Sequence, residues 1–555
     1  MKLMIVETPA KGRTLAAALG KGWQIEPCFG TLQGFPEDTL GIDLTRDFRP
    51  TLRLLPGKGN RLRKLSRFMH AAEVVYFATI PGVEGEALAW ELLELAQLPA
   101  DKPVFRLDLP ALDKATVTAA IQLRRELDPK LRDAHQARLL VDRLFSYHLA
   151  PLVSKVLGER HTISRLQAIL LRGIGERERT AAGQPGWTIS ARFQAHGVPF
   201  DAALYTRQRG LARLNTQAQA EGLRDLLSQS VFTVARTAQT ARTRLPRPPF
   251  TTLSLIQAAA GELGLAPDTT LALAQLLYES GWIMFYHTTS THIPPDAVTA
   301  ARDFILRAYG AEALPPPTPP STATAGEAIR PTDVTRLPDQ LDGAGAPLYA
   351  LIWTRFVAAH MLPARYTLHG ALIHVGKSAD QPYPLDFRVH STVIEAEGFL
   401  KVDPALLPKM TADLSGVGQG DTLTPVELQV QPVEAQIQPA TGAALLADAV
   451  SKHLCTPEQG VEALTGLIER GYLQRADGHL QPTEHGVVVS DYLRAEFPTV
   501  TGDRFNAQSH SGLEHSARGN VDHVKLVRWF WTVFRAEWER AKSQTGTRVR
   551  EEAHE

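Results

Sequence analysis

Apolar positions along this chain change period several times, and the changes divide it. KLMIVE (2–7) reads as a short apolar strand. TPAKGRTLAAALG (8–20) takes helical spacing, with Thr8 placed as N-cap and Pro9 at the first helical position, and WQIEPCFG (23–30) returns to strand texture. After a basic segment come a helix over LRKLSRFMHAA (62–72), the apolar strand EVVYFAT (73–79), a turn at IPGVEG (80–85) and a helix over EALAWELLELAQL (86–98). Strands alternating with helices predict a parallel sheet covered on both faces. From Asp113 to about Arg179, apolar residues three and four apart predict helices, clearest in 137–157 and 165–178.

From Trp187 the period drops to two. WTISARFQAHG (187–197), FDAALY (200–205) and VFTVARTAQTA (231–241) predict antiparallel strands. Helical texture fills 250–312, a Pro-rich loop at 314–326 interrupts it, and LYALIWTRFVAAHM (348–361) resumes it. Strands are expected again at 366–376, 385–402 and 422–430, and helices over the last hundred-odd residues, with a winged-helix flavour in 461–493. The β texture thus flanks a helical block, and the helical texture before it recurs after it. Nested units, with the chain leaving and re-entering the same domain, explain this order.

Composition narrows the class. The 555 residues suffice for about three or four domains. Apolar content of 44% and charged content of 21% fit a soluble globular protein. No apolar run reaches spanning length, and the N-terminal segment turns polar at Glu7, so neither a transmembrane helix nor a signal peptide is expected. The expected location is the cytoplasm, in association with the nucleoid. Cys28 and Cys455 are the two cysteines and lack C-x-x-C spacing, which excludes a four-cysteine zinc ribbon; no zinc is expected. Net charge is zero, with 59 basic and 59 acidic residues, but the charge is uneven. Arg46, Arg49, Arg53, Lys58, Arg61, Arg63, Lys64 and Arg67 face a single acid, Asp47, and a second run holds Arg236, Arg242, Arg244 and Arg247. These are either solvated faces or phosphate-contacting surfaces.

Candidate chemistry gathers in separated motifs: IVETPAK (5–11), YFATIPGVEGEALAW (76–90), ARLLVDRLFSYHLAPL (137–152), SRLQAILLRGIGERE (164–178), PFTTLSLIQ (249–257), LLYESGWIMFYHTTST (276–291) and GEAIRPTD (326–333). In this order they resemble the motifs of type IA DNA topoisomerases, over about residues 2–540. The resemblance implies a mixed α/β multidomain toroid: a Toprim α/β domain and a helical base domain, with β-rich arms carrying a helical nucleophile-type domain. The expected division is 1–145 for Toprim (with a basic insertion about 36–66), 146–185 plus 442–542 for the base, 186–247 plus 366–441 for the arms and 248–365 for the helical domain. A frayed tail covers 543–555.

The resemblance also implies roles. Glu7 matches the family's acid/base glutamate and Lys11 its phosphate-facing lysine. Arg138, Arg165, Gln167, Ser290, Arg330 and Thr332 match positions that meet the DNA strand. Arg165 and Gln167 could instead be solvated, and Arg330 a structural ion-pair residue. At the nucleophile position, where the family has a DNA-cleaving Tyr, stands Phe285; the following Arg and Asp are His287 and Thr289. A phenyl ring has no oxygen with which to form a phosphotyrosyl ester. Of the acidic Mg2+-binding cluster, Ile80 and Gly82 replace the two Asp ligands, leaving Glu84 and Glu86 as a weak or absent metal site. Thr31 and Gly326 stand where the family has His. His287 is expected to be exposed, or a weak phosphate contact below about pH 6.5. Tyr286 is the one candidate substitute nucleophile, but one residue of displacement turns its phenol away.

Three readings follow. The first is a topoisomerase-like pseudoenzyme that binds single-stranded DNA without Mg2+-dependent transesterification. The second is an active enzyme relaxing negatively supercoiled DNA through Tyr286, with Mg2+. The third is a structural or regulatory subunit that does not bind DNA. DNA and other DNA-maintenance proteins are the expected partners, with no membrane.

Overall fold

The computed structural model describes residues 1–181, 186–195, 197–207, 210–316, 326–406, 414, 416–433, 441–476 and 478–545. Most of the Pro-rich segment and most of the tail therefore lie outside the described residues.

The N-terminal β-α-β pattern becomes a four-stranded parallel sheet in the order Trp23–Pro27, Lys2–Val6, Val74–Phe77, Val104–Arg106. Thr8 caps the helix Pro9–Leu19, its side chain accepting from the Lys11 N–H, with Pro9 at the start. Period-2 alternation sends side chains to opposite faces. Leu3, Ile5, Val75 and Phe77 pack with Leu65, Met69, Ala89 and Leu92 on one face. Met4, Val6, Tyr76 and Ala78 pack with Leu15 and Val117 on the other, where the core runs on into Leu255, Tyr278, Ile283 and Trp353 of the 250–361 block. That shared core joins the parallel sheet to the helices bearing the nucleophile-position segment.

Among the boundaries that differ from expectation, two have a local cause. The helix expected from Glu86 starts at Val83, because Gly82 takes φ 98°, a left-handed conformation glycine tolerates. Glu84 and Glu86 therefore lie in the first helical turn, where the macrodipole favours carboxylates. Of the strand expected over 385–402, the end is a 3-10 turn, Gly398–Lys401, and the strand Pro382–Ala396 stops before it.

The β texture on both sides of the helical block closes into one antiparallel sheet. Its order is Thr422–Leu423, Val231–Arg244, Ala364–Gly376, Pro382–Ala396, Val198–Thr206, Gly186–Ala195, Pro425–Val433. Phe193, Phe200, Phe232 and Phe387 form its aromatic core, with centroids 5.4–5.8 Å apart. A third unit packs Pro129–Leu157 and Arg165–Ala181 against Gly442–Ser451, Pro457–Glu469, Glu484–Glu496, Asp503–Ala517 and His523–Thr545. Within it Trp531 and Trp538 pack beside the His148 ring at 5.0 and 4.7 Å. The helix Pro129–Leu157 runs unbroken through position 145. No helix among the described residues is long and apolar enough to cross a membrane.

Candidate active site

Glu7 follows the central strand Lys2–Val6 directly. One carboxylate oxygen accepts from the Ile80 backbone N–H and the other lies 3.2 Å from the Lys11 ammonium. Lys11, one turn into the next helix, is only 2% exposed. Burial lowers its pKa, opposed by the Glu7 charge and hydrogen bond. The resemblance pairs these two residues in function, and the structure pairs them in space.

The acidic turn is organised around cations that sequence reasoning missed. Glu86 is fully buried, and it accepts from Arg106 Nε (3.2 Å), from both terminal nitrogens of Arg125 (2.9 and 3.4 Å) and from the Asp128 N–H. Arg106 is itself 0% exposed and donates to the carbonyls of Phe77, Thr79, Ile80 and Leu107. The signal was a lone arginine in the otherwise apolar VFRL (104–107). Glu84 pairs with Arg138 at 2.7 Å. Burial alone would raise the Glu84 pKa, but the Arg138 charge and hydrogen bond, a backbone N–H and His135 together outweigh it and the net direction is down.

Mg2+ requires near-octahedral oxygen ligands at about 2.0–2.1 Å. Glu86 is instead saturated by two guanidinium groups and a backbone N–H, while Ile80 and Gly82 carry no ligand atoms. These residues do not fit a Mg2+ site. Gly82 also has a local explanation, since φ 98° would strain an aspartate there.

The segment 282–294 lies between the parallel sheet and the helical block. The Phe285 N–H donates to the Pro110 carbonyl (2.7 Å) and the Tyr278 hydroxyl to the Leu109 carbonyl (2.7 Å). Thr8 donates to the Glu279 carboxylate (2.8 Å) and Thr14 to the Glu279 carbonyl (2.6 Å). The Phe285 ring packs edge-on to Tyr278 at 5.5 Å. Tyr278 in turn lies 5.9 Å from the Lys11 ammonium. The Phe285 ring thus reaches Lys11 only by way of Tyr278, and it presents carbon.

The neighbouring phenol, Tyr286, stands elsewhere. Its ring centre is 5.8 Å from that of Phe285, a displacement well beyond the roughly 1 Å of misplacement that already costs about 100-fold in rate. It is 7% exposed. Burial raises its pKa, and the charges of Glu279, Glu7 and Glu458 push further the same way, so the phenolate is disfavoured. The expectation of an exposed His287 fails: it is partly buried, with ring contacts to Tyr286 (4.2 Å) and Phe285 (5.3 Å). Burial lowers its pKa, so charge would appear there only in more acid solution than for a free histidine.

The residues matched to DNA-strand positions are held by the protein itself. Arg138 pairs with Glu84, and Arg165, 6% exposed, pairs with Asp142 (2.7 Å) and reaches Asn506 (3.2 Å). Gln167 is 4% exposed and accepts from the Ser164 N–H (2.9 Å), an N-terminal cap and not a solvated side chain. Arg330 pairs with Glu327 at 2.9 Å. The Thr332 hydroxyl donates to the Gly281 carbonyl (2.8 Å), and Ser290 Oγ accepts from the His292 N–H (3.1 Å). Thr31 donates to Glu91 at 2.6 Å.

An open cationic groove lies at the basic segment instead. Phe29 is 44% exposed with φ 62°, and the Arg61 guanidinium lies over its ring at 4.2 Å. Lys58, Asn60 and Lys64 complete a cavity of about 440 Å³. An exposed ring beside cations suits base stacking with phosphate contacts.

Comparison with known proteins agrees with this architecture. A family described as DNA topoisomerase matches residues 126–528, and the Toprim domain matches residues 2–112. DNA topoisomerase 1 of Streptomyces coelicolor is 30% identical over 590 aligned residues, covering 96% of this chain and 61% of that protein. DNA topoisomerase 1 of Synechococcus elongatus is 30% identical over 589, covering 96% and 65%. The chain thus spans less than two thirds of the length of these relatives. The structure of full-length topoisomerase I from Thermotoga maritima superposes with a TM-score of 0.84 at 25% identity, covering 99% of this chain and 91% of that one.

Proposed function

Because the chain belongs to the type IA DNA topoisomerase family, we propose that it is a DNA-holding relative of those enzymes that does not cleave the strand. The observation that carries this reading is Phe285, which the motif resemblance sets at the nucleophile position and which packs on Tyr278, itself 5.9 Å from the Lys11 ammonium of the Glu7–Lys11 pair. Strand cleavage in this family's manner needs a phenol oxygen there to form the ester, and a cation to stabilise charge on phosphate. Phe285 offers no oxygen, and the Glu86 carboxylate is engaged by Arg106 and Arg125. No observation favours the reading in which Tyr286 acts.

Single-stranded DNA binding is proposed through the groove of Phe29, Lys58, Arg61 and Lys64; Lys64 pairs with Glu26 at 2.7 Å, as the arginines at family strand positions pair elsewhere, but here the cations flank an exposed aromatic ring. We also propose that the chain works as the four nested units expected from its sequence. The test is binding of a labelled single-stranded oligonucleotide by fluorescence anisotropy across a salt series. Affinity should fall steeply with salt. Phe29→Ala should weaken binding by about tenfold, the loss of one stacked base. Salt-independent or undetectable binding would instead support the structural-subunit reading.

A further inference from the structure

We propose that Glu159, His161 and His485 form a site for a borderline divalent cation of the zinc class. One ligand atom from each lies within 4.8 Å of the other two. His161 Nε2 is 2.8 Å from Glu159 Oε1, His485 Nδ1 is 3.9 Å from the same oxygen, and the imidazoles meet edge-on at 5.3 Å. With metal–ligand bonds of about 2.0–2.1 Å, tetrahedral ligands sit roughly 3.4 Å apart. The two distances bracket that value, so small side-chain rotations complete the site.

The local fold prepares it. Gly158, at φ 78°, ends the helix Pro129–Leu157 and turns the chain so that Glu159 and His161 meet His485. The Ser154 hydroxyl accepts from the His161 N–H and donates to the His161 carbonyl, each at 3.0 Å. The Tyr472 hydroxyl donates to the Thr162 carbonyl at 3.3 Å. His485 is the second residue of the helix Glu484–Glu496, which Thr483 caps. His161 is 14% exposed, against 46% for His485 and 60% for Glu159, so the anchor is half-buried and the entry open.

Two imidazoles and one carboxylate suit zinc, whereas Mg2+ prefers an all-oxygen shell. The expectation of no zinc rested on cysteine spacing, which says nothing of a histidine site assembled from residues far apart in sequence. A cation here would clamp the loop leading into the helix Arg165–Ala181 onto the helix Glu484–Glu496. This inference does not depend on DNA binding.

The test uses the full-length, metal-stripped protein titrated with Co2+, followed by its visible d–d absorption, and with Zn2+ in competition with a chromophoric chelator. One equivalent should bind in a tetrahedral environment and resist a large excess of Mg2+. Loss of an outer-shell partner typically costs about 10–100-fold in affinity, so His161→Asn and His485→Asn should each exceed about 100-fold. Glu159→Gln, on an exposed side chain, should weaken binding without affecting folding. In the wild type, Zn2+ should also slow hydrogen exchange in 158–163, a readout that needs no variant. Absence of a tetrahedral band, wild-type affinity in both histidine variants, or unchanged exchange in that loop would each overturn the proposal.

Discussion

Glu86→Gln tests the claim that this carboxylate is a counterion and not a metal ligand. The substitution keeps the shape and removes the charge facing Arg106, which is 0% exposed and lies 3.2 Å from it. Removing one partner of a buried pair costs about 3–5 kcal/mol, because the remaining charge stays buried. Arg125 is 36% exposed and solvent screens its share, and glutamine can still accept one hydrogen bond. The lower end, about 3 kcal/mol, is therefore expected. A chain of several units does not unfold in one transition, so local hydrogen exchange is the suitable readout. At about 1.4 kcal/mol per tenfold change, amides of Val74–Phe77 and Val104–Arg106 should exchange about 100-fold faster, with or without Mg2+. The reasoning fails if exchange is unchanged without Mg2+ while the wild type gains Mg2+-dependent protection that the variant lacks. Glu86 would then be a ligand.

Gly85→Ala should be at least as damaging, since a Cβ there would lie 1.8 Å from the Ile80 carbonyl oxygen and 2.9 Å from the Arg106 guanidinium. A loss of about 3 kcal/mol by the same exchange measurement is expected. His135 supplies a pH dependence: burial first, then Arg138, lowers its pKa to about 4, against Glu84 and Asp142, which raise it. The folded pKa lies below the unfolded one near 6.5, so the unfolded chain takes up a proton that the fold refuses. Stability is unaffected above about pH 6.5 and falls toward pH 4, by about 2 kcal/mol at pH 5. Hydrogen exchange of the Pro129–Leu157 amides at pH 7 and pH 5, corrected for the intrinsic exchange rate, should show that drop in the wild type and a smaller one in His135→Gln. Phe285→Tyr should bind single-stranded DNA as the wild type does and still form no covalent adduct with Mg2+, since Glu86 remains engaged by its arginines; an adduct would show that the phenol alone was missing.

Much of the fold was readable because periodicity is a local signal. The apolar runs KLMIV and VVYF, alternating with helical segments, placed two parallel strands, and Thr8 with Pro9 placed the start of a helix. The start of the helix at Val83 was not readable, because it depends on Gly82 adopting a left-handed conformation. The site residues were readable as types in a motif, and the proximity of Glu7, Lys11 and the 276–291 segment followed the motif order. Their partners were not. Arg106 and Arg125 reach Glu86 across 20 and 39 residues, and Asp142 reaches Arg165 across 23, distances at which no local pattern operates. The burial of Gln167 and His287 depends in the same way on elements packed from elsewhere in the chain.

The central claim is the absence of strand cleavage, and trapping of a protein–DNA ester tests it most directly. Full-length wild-type protein would be incubated with Mg2+ and an end-labelled single-stranded oligonucleotide whose cleaved fragment diffuses away, then denatured and resolved by gel and mass spectrometry. The account predicts salt-dependent binding before denaturation and no label attached to protein after it. A labelled band whose adducted peptide contains Tyr286, or any other residue of this chain, would contradict it.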